Sequence, residues 1–288
     1  MNVVPPTVEE ALTLAKAMLA GRSDSPQLDA EVLLSVITGD DRSRFRAFAE
    51  RRLSAGEAQD FFDLLRQRVA GRPIAYLTGS REFWSLAFEV SDAVLIPRPE
   101  TETLVEKALT ALSNQPRPKI LDLGTGSGAV AITLALERPD ARLVATDQSL
   151  KALDLASKNA ERHGVAARIR FLQGDWFGAL PDPEPFDAIV SNPPYLSDQD
   201  PHLQRGDLRF EPRTALAAGP SGLRELDRII EDAPGRLNPN GILLLEHGFD
   251  QGERVRQRLA AEGFQAICTH RDLAGHPRVT LGQAPEQR

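Results

Sequence analysis

The stretch KILDLGTGSGAVAITLAL, residues 119–136, decides how this chain folds. It begins as a short apolar run, turns through Gly124, Gly126 and Gly128, and continues as an apolar helix. Glycine allows a tight turn and lets a ligand approach the backbone closely. A strand, a glycine-rich turn and a helix in this order predict an α/β domain that binds its ligand where the strand ends.

The alternation of strands and helices continues on both sides of this stretch. Further strands are predicted at 142–147, 168–173, 186–192, 241–247, 264–270 and 278–282. Helices are predicted at 99–112, 149–163, 221–233 and 250–261, and PDPEP (181–185) as a proline-rich turn. Apolar strands that alternate with helices indicate a doubly wound, mostly parallel sheet, here of seven strands.

The residues before this domain have a different pattern. Residues 1–72 predict helices only, with capping boxes at Thr7 and Ser54. The runs REFW and LAFEV predict a β-hairpin. We therefore expect a helical domain (1–72), a hairpin linker that packs on the larger domain (73–98) and an α/β domain (99–288). Within the first, a basic patch that could steer an acceptor is predicted from Arg42, Arg44, Arg46, Arg51 and Arg52.

Composition excludes several classes of protein. The 288 residues contain one cysteine, Cys268, which rules out an internal disulfide framework or a cysteine-rich zinc site. Five scattered histidines predict no metal site. The longest apolar stretch, SGAVAITLAL (127–136), is too short to span a membrane, and Glu9 and Glu10 argue against a signal peptide. A net charge of −7 disfavours affinity for nucleic acid through a broad basic field.

Three acidic or aromatic residues, in two segments, point to an adenosine ligand. Asp147 ends the strand after the glycine loop, where a carboxylate can accept hydrogen bonds from ribose hydroxyls, or cap the next helix. In GDWF (174–177), Asp175 could accept from an adenine amino group and Trp176 could offer an aromatic face, unless they are a turn carboxylate and a core side chain. The glycine spacing lacks the third glycine of the dinucleotide fingerprint, and the chain has no triphosphate-binding loop.

The sequence SNPPYL (191–196) follows the predicted strand beside the glycine loop. Pro193 and Pro194 cannot donate backbone hydrogen bonds, so their carbonyls remain acceptors, and Asn192 adds a neutral acceptor. Tyr195 supplies a flat face. A rigid set of acceptors suits a planar NH₂ group, whose delocalised lone pair makes it a poor nucleophile unless it is oriented.

These motifs resemble those of known proteins. The DLGTGSG loop resembles the first motif of S-adenosylmethionine-dependent methyltransferases. Residues 71–106, with VLIPRPETE, together with NPPY and the segments 200–223, EHGFDQGERVRQRL and HPRVTLG, closely resemble the PrmC/HemK family. That family methylates N5 of the glutamine in the GGQ loop of class 1 peptide chain release factors.

The resemblance implies a Rossmann-like methyltransferase domain, S-adenosylmethionine as donor, a release factor as partner and a cytoplasmic setting. We expect a monomer with no membrane or direct nucleic-acid partner and no metal. The resemblance places the donor against Gly124, Thr125, Gly126, Ser127, Gly128, Asp147, Trp176 and Asn192. It places the catalytic contacts to the glutamine amide at Asn192, Pro193, Pro194 and Tyr195.

Other polar residues have two interpretations. Arg98, Glu100 and Thr101 resemble a loop over the cofactor, although an Arg–Glu pair in a tight turn is often structural. Asp207, Arg209 and Glu211 are either part of an acceptor-binding loop or solvated charges. His247, at a strand end, is expected to be a hydrogen-bonded structural histidine.

Three other functions stay open at this point. An adenine methyltransferase acting on DNA or RNA shares the NPPY motif but needs a flipped base and commonly a basic face. A non-catalytic module that docks on a translation factor is disfavoured, because such a module would not need the intact glycine, acidic and NPPY motifs. A nicotinamide oxidoreductase is disfavoured by the missing fingerprint glycine.

Overall fold

The computed structural model describes residues 4–180 and 185–286, so most of the predicted PDPEP turn lies outside the described residues. The chain divides into two units, the first running to Ser80 and including Gln204–Phe210. The second contains Arg81–Leu203 and continues from Glu211 through the C-terminal strands. None of the described helices is both long and apolar enough to cross a membrane.

The first unit is helical, as predicted. Thr7 and Ser54 each form the predicted capping box, with Glu10 and Glu57 respectively. Phe61 and Leu65 lie fully buried at its centre. Its helices are α1 (Val8–Leu19), α2 (Pro26–Thr38), α3 (Arg42–Ala47), α4 (Ala55–Val69) and α5 (Ile74–Thr78). The unit extends past the predicted boundary at residue 72 because Ile74 and Leu77 of α5 pack on its core.

A segment from the second half of the chain completes this unit. Arg209 donates from Nη2 to the carbonyl of Ala70 at 2.7 Å. Gly71 makes room for it, since an added Cβ would lie 1.7 Å from that nitrogen. Asp207 lies 3.6 Å from Arg68. Both predicted loop charges are therefore engaged within the helical unit.

The predicted basic patch is largely neutralised. Arg42 pairs with Glu31, and Arg44 pairs with Asp40 at 3.0 Å. Arg51 lies 3.2 Å from Glu57. Because acidic side chains from neighbouring segments pair with three of the five arginines, counting charges along residues 41–52 overstates the field of this surface.

The second unit begins with the predicted hairpin and continues as the predicted seven-stranded sheet. The hairpin strands are β1 (Ser80–Phe83) and β2 (Leu86–Glu89). The sheet strands are β3 (Lys119–Leu123), β4 (Arg142–Asp147), β5 (Ile169–Gln173), β6 (Phe186–Ser191), β7 (Leu237–Glu246), β8 (Gln265–Arg271) and β9 (Pro277–Gln283). The helices are α6 (Glu102–Ala111), α7 (Ala129–Glu137), α8 (Leu150–Arg162), α9 (Arg224–Asp232) and α10 (Gly252–Ala261).

The sheet order is β5-β4-β3-β6-β7-β9-β8, with β9 antiparallel to β7 and β8 and the other pairs parallel. Helices α6, α7 and α8 contribute buried apolar residues to one face, and α9 and α10 to the other. Phe83 and Phe88 of the hairpin are buried in the first of these cores, as predicted. The doubly wound, mostly parallel fold is confirmed.

Two segments differ from their predicted form. β7 begins at Leu237 rather than Gly241, because its pairing with β6 tolerates a shift of register after Phe186. The loop after NPPY is not simply polar and irregular. It contains short 3₁₀ turns, and Leu196 pairs with Ala217.

Candidate active site

A cavity of about 700 Å³ lies where β3, β4, β5 and β6 end. Most of the predicted site residues line it, namely Gly124, Thr125, Gly126, Ser127, Asp147, Trp176, Asn192 and Pro194. Gly128, Pro193 and Tyr195 are outside the described lining. The lining also includes Asp122 and Glu225, which the sequence did not suggest as site residues. The volume suits a ligand of nucleoside size.

Each of the three glycines in the loop is needed for a different local reason. All have positive φ, 73° at Gly124, 55° at Gly126 and 83° at Gly128. A Cβ at Gly128 would lie 3.1 Å from the Cβ and 3.3 Å from the Cα of Ala156, so this glycine lets the start of α7 lie close to α8. A Cβ at Gly124 would lie 3.2 Å from the ring of Trp176. At Gly126 nothing lies within 4 Å, so its backbone borders open cavity space.

Asp147 is fixed by backbone donors. Its Oδ2 accepts from the amide of Gly126 at 3.0 Å, and its Oδ1 from the amide of Ser149 at 2.9 Å. The alternative role as a helix cap falls to Ser149, whose hydroxyl accepts from the amide of Ala152. Burial raises the pKa of Asp147, and the backbone hydrogen bonds oppose that rise. Each carboxylate oxygen keeps a further lone pair for a ligand.

Asp122 lies beneath the glycine loop. The hydroxyl of Thr125 donates to its Oδ2 at 2.7 Å. Complete burial raises the pKa of Asp122 to about 7, and the nearby charge of Asp147 adds to the rise. Its place at the start of DLGTGSG was the available signal in the sequence, but a carboxylate within an apolar strand does not reveal which way it faces.

Trp176 is held by a network of charged groups. Its indole Nε1 donates to Oε2 of Glu225 at 2.8 Å, and Glu225 also accepts from Arg224 and Arg228. Arg228 pairs with Asp175 at 2.5 Å. Asp175 also lines the cavity, and its ion pair with Arg228 leaves lone pairs on the carboxylate that can accept from an adenine amino group.

Asn192 sits where β6 ends, beside the glycine loop. Its Nδ2 donates to the hydroxyl oxygen of Thr101 at 3.1 Å, which leaves Oδ1 as its acceptor for a ligand. Ser191 anchors the strand end through a hydrogen bond to the carbonyl of Leu123 at 2.7 Å. Pro194 also lines the cavity. The structure therefore brings a neutral acceptor side chain and a donorless backbone segment to the same cavity as Asp147.

The hydroxyl group and the backbone carbonyl of Tyr195 both form hydrogen bonds within the protein. Its hydroxyl donates to Oε1 of Glu246 at 3.3 Å, and its carbonyl accepts from Nε2 of Gln251 at 2.9 Å. Burial and the neighbouring Glu246 raise the pKa of Tyr195. Its ring packs against the core beneath α9 and α10.

The loop that contains Arg98, Glu100 and Thr101 is tied to the segment after NPPY. Glu211 accepts from the guanidinium of Arg98 and, at 3.0 Å, from the backbone amide of Ile96. Glu211 is buried, so its interpretation as a solvated charge is wrong. Of the three loop residues, Thr101 is the one named in the described cavity lining.

His247 is structural, as predicted. It is buried, its Nδ1 lies 2.8 Å from the carbonyl of Gly248, and its Nε2 lies 2.8 Å from the hydroxyl of Thr280. Burial lowers its pKa, which favours the neutral ring. No group of three or more potential metal-ligating side chains occurs in the described parts of the chain.

The cavity fits S-adenosylmethionine. The open backbone at Gly126 admits a close-lying ligand, Asp147 can accept from ribose hydroxyls, and Trp176 offers a ring beside the loop. The carboxylates of Asp122 and Asp147 suit a ligand that carries a positive sulfur.

Comparison with known proteins agrees with this site. Residues 101–207 match the family model of the methyltransferase small domain. A solved structure of the Thermus thermophilus 16S rRNA N2 G1207 methyltransferase, in complex with AdoMet and guanosine, has a similar fold. It is 21% identical, with a TM-score of 0.53, covering 71% of this chain and 49% of that one. The fold and the site define an S-adenosylmethionine-dependent methyltransferase.

Relatives of the whole chain give the family. Residues 10–79 match the model of the PrmC N-terminal domain. The release factor glutamine methyltransferase of Salmonella typhimurium is 52% identical over 261 residues, covering 91% of this chain and 93% of that protein. The protein of the same description from Xylella fastidiosa (strain Temecula1) is 47% identical over 270 residues, covering 93% and 98%. The chain belongs to the release factor glutamine methyltransferase family.

Proposed function

We propose that this enzyme transfers a methyl group to the side-chain amide nitrogen, N5, of the glutamine in the GGQ motif of class 1 peptide chain release factors. S-adenosyl-L-methionine supplies an electrophilic methyl group on a positive sulfur, and S-adenosyl-L-homocysteine is released. The observation that carries the proposal is the position of Asn192, whose amide lines the same cavity as the glycine loop and Asp147. Family membership supports the choice of acceptor.

The residues of the NPPY segment would orient the acceptor amide. Asn192 Oδ1, left free because Nδ2 is bound to Thr101, accepts one N–H bond of the glutamine NH₂ group. A proline carbonyl accepts the other, and its neighbours have no N–H to compete. Holding both N–H bonds aims the nitrogen at the methyl group, which lowers the entropic cost of transfer.

Neutral acceptors match the charge changes of the reaction. Transfer forms an N–CH₃ bond, and the nitrogen then loses one proton to give a neutral N-methyl amide. The proton becomes acidic only as the new bond forms, so Asn192 needs to stabilise developing positive charge without removing a proton beforehand. An aspartate there would instead strengthen the ground state by attracting the positive sulfur.

The residues at the donor end of the cavity would bind S-adenosylmethionine but take no part in bond making or breaking. Asp147 accepts from the ribose hydroxyls, Trp176 offers its ring to the adenine, and the backbone of Gly124–Ser127 allows close approach.

We further propose that the helical unit contributes to acceptor choice, since the described cavity lining lies between residues 93 and 228 and includes none of it. Exposed arginines that form no ion pair within the described part of the chain, such as Arg46, are the first positions to test. Arg46→Glu should weaken binding of an acidic partner by about threefold. Arg254→Glu, an exposed site on α10, is the matched control, and equal effects would contradict the assignment.

A cytoplasmic location and a monomeric state complete the proposal. Release factors are translation proteins, so the enzyme and its acceptor should share a compartment. Light scattering of the purified enzyme, alone and with a release factor, tests the monomer and a one-to-one complex.

The decisive experiment for the function is mass spectrometry of a release factor incubated with this enzyme and S-adenosylmethionine. One added methyl group on the GGQ glutamine is expected, and none on a release factor with glutamate at that position. Nucleic acid in a parallel reaction should stay unmodified. Methylated adenine instead of methylated glutamine would support the alternative, an adenine-N6 methyltransferase.

A further inference from the structure

Two segments far apart in the chain line the cavity beside the ends of its strands. The first, residues 93–101, is called the cover segment here, and its lining residues include Leu95, Pro97 and Thr101. The second, residues 212–217, contributes residues that include Pro212, Arg213 and Thr214. Neither segment belongs to the seven-stranded sheet, so other contacts must fix both of them at the cavity.

The second segment is fixed by its backbone. The amide of Leu196 donates to the carbonyl of Leu216 at 2.9 Å, and the amide of Ala218 donates to the carbonyl of Leu196 at 2.8 Å. Leu196 directly follows Tyr195, so these hydrogen bonds join the second segment to the NPPY sequence.

Glu211 joins the cover segment to the second segment. It directly precedes Pro212, and its side chain is fully buried. Its Oε2 accepts from the amide of Ile96 at 3.0 Å, and its Oε1 accepts from the guanidinium of Arg98. Burying an ion pair gains little stability, because desolvation offsets the attraction between the charges. Stability alone is therefore a weak reason for a carboxylate at this place.

A series of hydrogen bonds leads from Glu211 to Asn192. Arg98 precedes the 3₁₀ turn Pro99–Thr101, and the amide of Thr101 donates to the carbonyl of Arg98 at 3.1 Å. The hydroxyl oxygen of Thr101 in turn accepts from Nδ2 of Asn192, also at 3.1 Å. The described cavity lining names Thr101 and Asn192 but neither Glu211 nor Arg98. Glu211 thus holds, from behind the lining, a turn whose last residue contacts the Asn192 amide.

We propose that Glu211 is a positioning residue for methyl transfer, which fixes the turn that holds the Asn192 amide in place. The inference rests on the proposed function, because the place of that amide matters where an acceptor nitrogen must be oriented. Without the carboxylate, Arg98 and the cover segment lose this attachment to the second segment, and the Asn192 side chain gains freedom to move. A preorganised acceptor then becomes a mobile one, which slows transfer even when the donor is bound.

Single-turnover transfer to a release factor, at saturating donor and acceptor, measures the effect. Glu211→Gln keeps an acceptor for the amide of Ile96 but exchanges the charged hydrogen bond with Arg98 for a neutral one, so the rate should fall about tenfold. The dissociation constant for S-adenosylmethionine should stay within about threefold of wild type, because backbone amides hold Asp147 at the donor end.

Arg98 tests the same link from the other side, and it keeps the test available if Glu211→Gln does not fold. Arg98→Met removes the charge and should slow transfer about tenfold. Arg98→Lys keeps the charge without the planar guanidinium and should slow transfer only about threefold. Glu253→Gln, which breaks an exposed ion pair with Arg256 on α10, is the matched control and should leave rate and donor affinity unchanged.

A double variant separates positioning from a general loss of stability. Because Glu211 acts through Asn192, Glu211→Gln should slow the Asn192→Ala enzyme by less than about twofold, although it slows the wild-type enzyme about tenfold. A general weakening of the fold would instead lower both rates by the same factor.

Each outcome bears on a separate claim. A wild-type rate for Glu211→Gln, or for Arg98→Met if the glutamine variant does not fold, would overturn the positioning role. Equal losses in the wild-type and Asn192→Ala backgrounds would overturn it too, as would full recovery of the rate at higher donor concentration. Failure of the wild-type enzyme to methylate the glutamine would instead overturn the proposed function.

Discussion

The two ends of the cavity are built differently. At the donor end, Asp147 is held by the backbone amides of Gly126 and Ser149, within one loop and one strand end. At the acceptor end, Asn192 is held by the side chain of Thr101, which lies 91 residues away in the chain. A site held by local backbone groups is preformed, whereas one held by distant side chains depends on each of them. Substitutions at the first end should therefore change affinity, and those at the second end should change rate.

The largest expected effect is at Asn192. Asn192→Ala removes an acceptor and leaves the substrate amide free to rotate, so the single-turnover rate should fall by about 100- to 1000-fold. Asn192→Asp should recover only part of the loss, because its charge favours the ground state. Donor affinity, measured by calorimetry, should change little. A loss of only about threefold would mean that Asn192 merely shapes the turn.

Asp147 should show the opposite behaviour. Asp147→Asn keeps the shape of the side chain, but it replaces one carboxylate oxygen by an NH₂ donor and removes the charge that strengthens the hydrogen bonds to ribose. The dissociation constant for S-adenosylmethionine should rise by about 10- to 100-fold, since such bonds contribute about 1.5–3 kcal/mol. Asp154→Asn, at an exposed position on α8, controls for loss of charge. Unchanged calorimetric affinity would remove Asp147 from the donor site.

The donor end could be predicted because its signals are local. The three glycines of DLGTGSG occupy positive φ, and Asp147 follows the next strand, so spacing alone locates the loop. The strands and the capping boxes were likewise predictable from short patterns. Pro193 and Pro194 stood out because the absence of a backbone donor is visible in the residue type, and Asn192 directly precedes them.

The acceptor end could not be predicted to the same depth. Sequence patterns gave no individual role to Glu246 and placed Thr101 only in a loop over the cofactor. Only the pairing of β6 with β7 brings Glu246 beside the NPPY loop. Glu211 resembled a solvated charge because its partner, the amide of Ile96, lies 115 residues away. The charge of the arginine patch was overestimated from the sequence, since Glu31 of α2 pairs with Arg42 and Asp40 pairs with Arg44.

Glu225 should have a smaller effect, at the donor end. Glu225→Gln keeps an acceptor for the indole of Trp176 but weakens the ion pairs with Arg224 and Arg228. The dissociation constant for the donor should rise about fivefold, the cost of exchanging a charged hydrogen bond for a neutral one. Glu231→Gln, exposed on the same helix, is the matched control. If transfer slows at saturating donor while affinity stays constant, Trp176 does not belong to the donor end.

The smallest effect concerns stability rather than turnover. The pKa of Glu246 is raised from 4.5 to about 7, so the folded state holds this proton more tightly than the unfolded state does. Its contribution to stability is therefore lost as the pH rises from about 4.5 through 7. Glu246→Gln should raise the free energy of unfolding at pH 8 by up to about 3 kcal/mol, measured as a higher melting temperature, and the gain should vanish near pH 5. A loss of stability at pH 8 would indicate that the carboxylate stabilises the fold.

The most direct test of the division between the two ends is one single-turnover assay of Asn192→Ala and Asp147→Asn, run with a release factor at saturating S-adenosylmethionine. Saturation restores whatever a loss of affinity removes, so Asp147→Asn should transfer within about threefold of the wild-type rate. Asn192→Ala should stay about 100-fold slower or more, however much donor is added. Rescue of Asn192→Ala by excess donor, or a persistent defect in Asp147→Asn, would contradict the account.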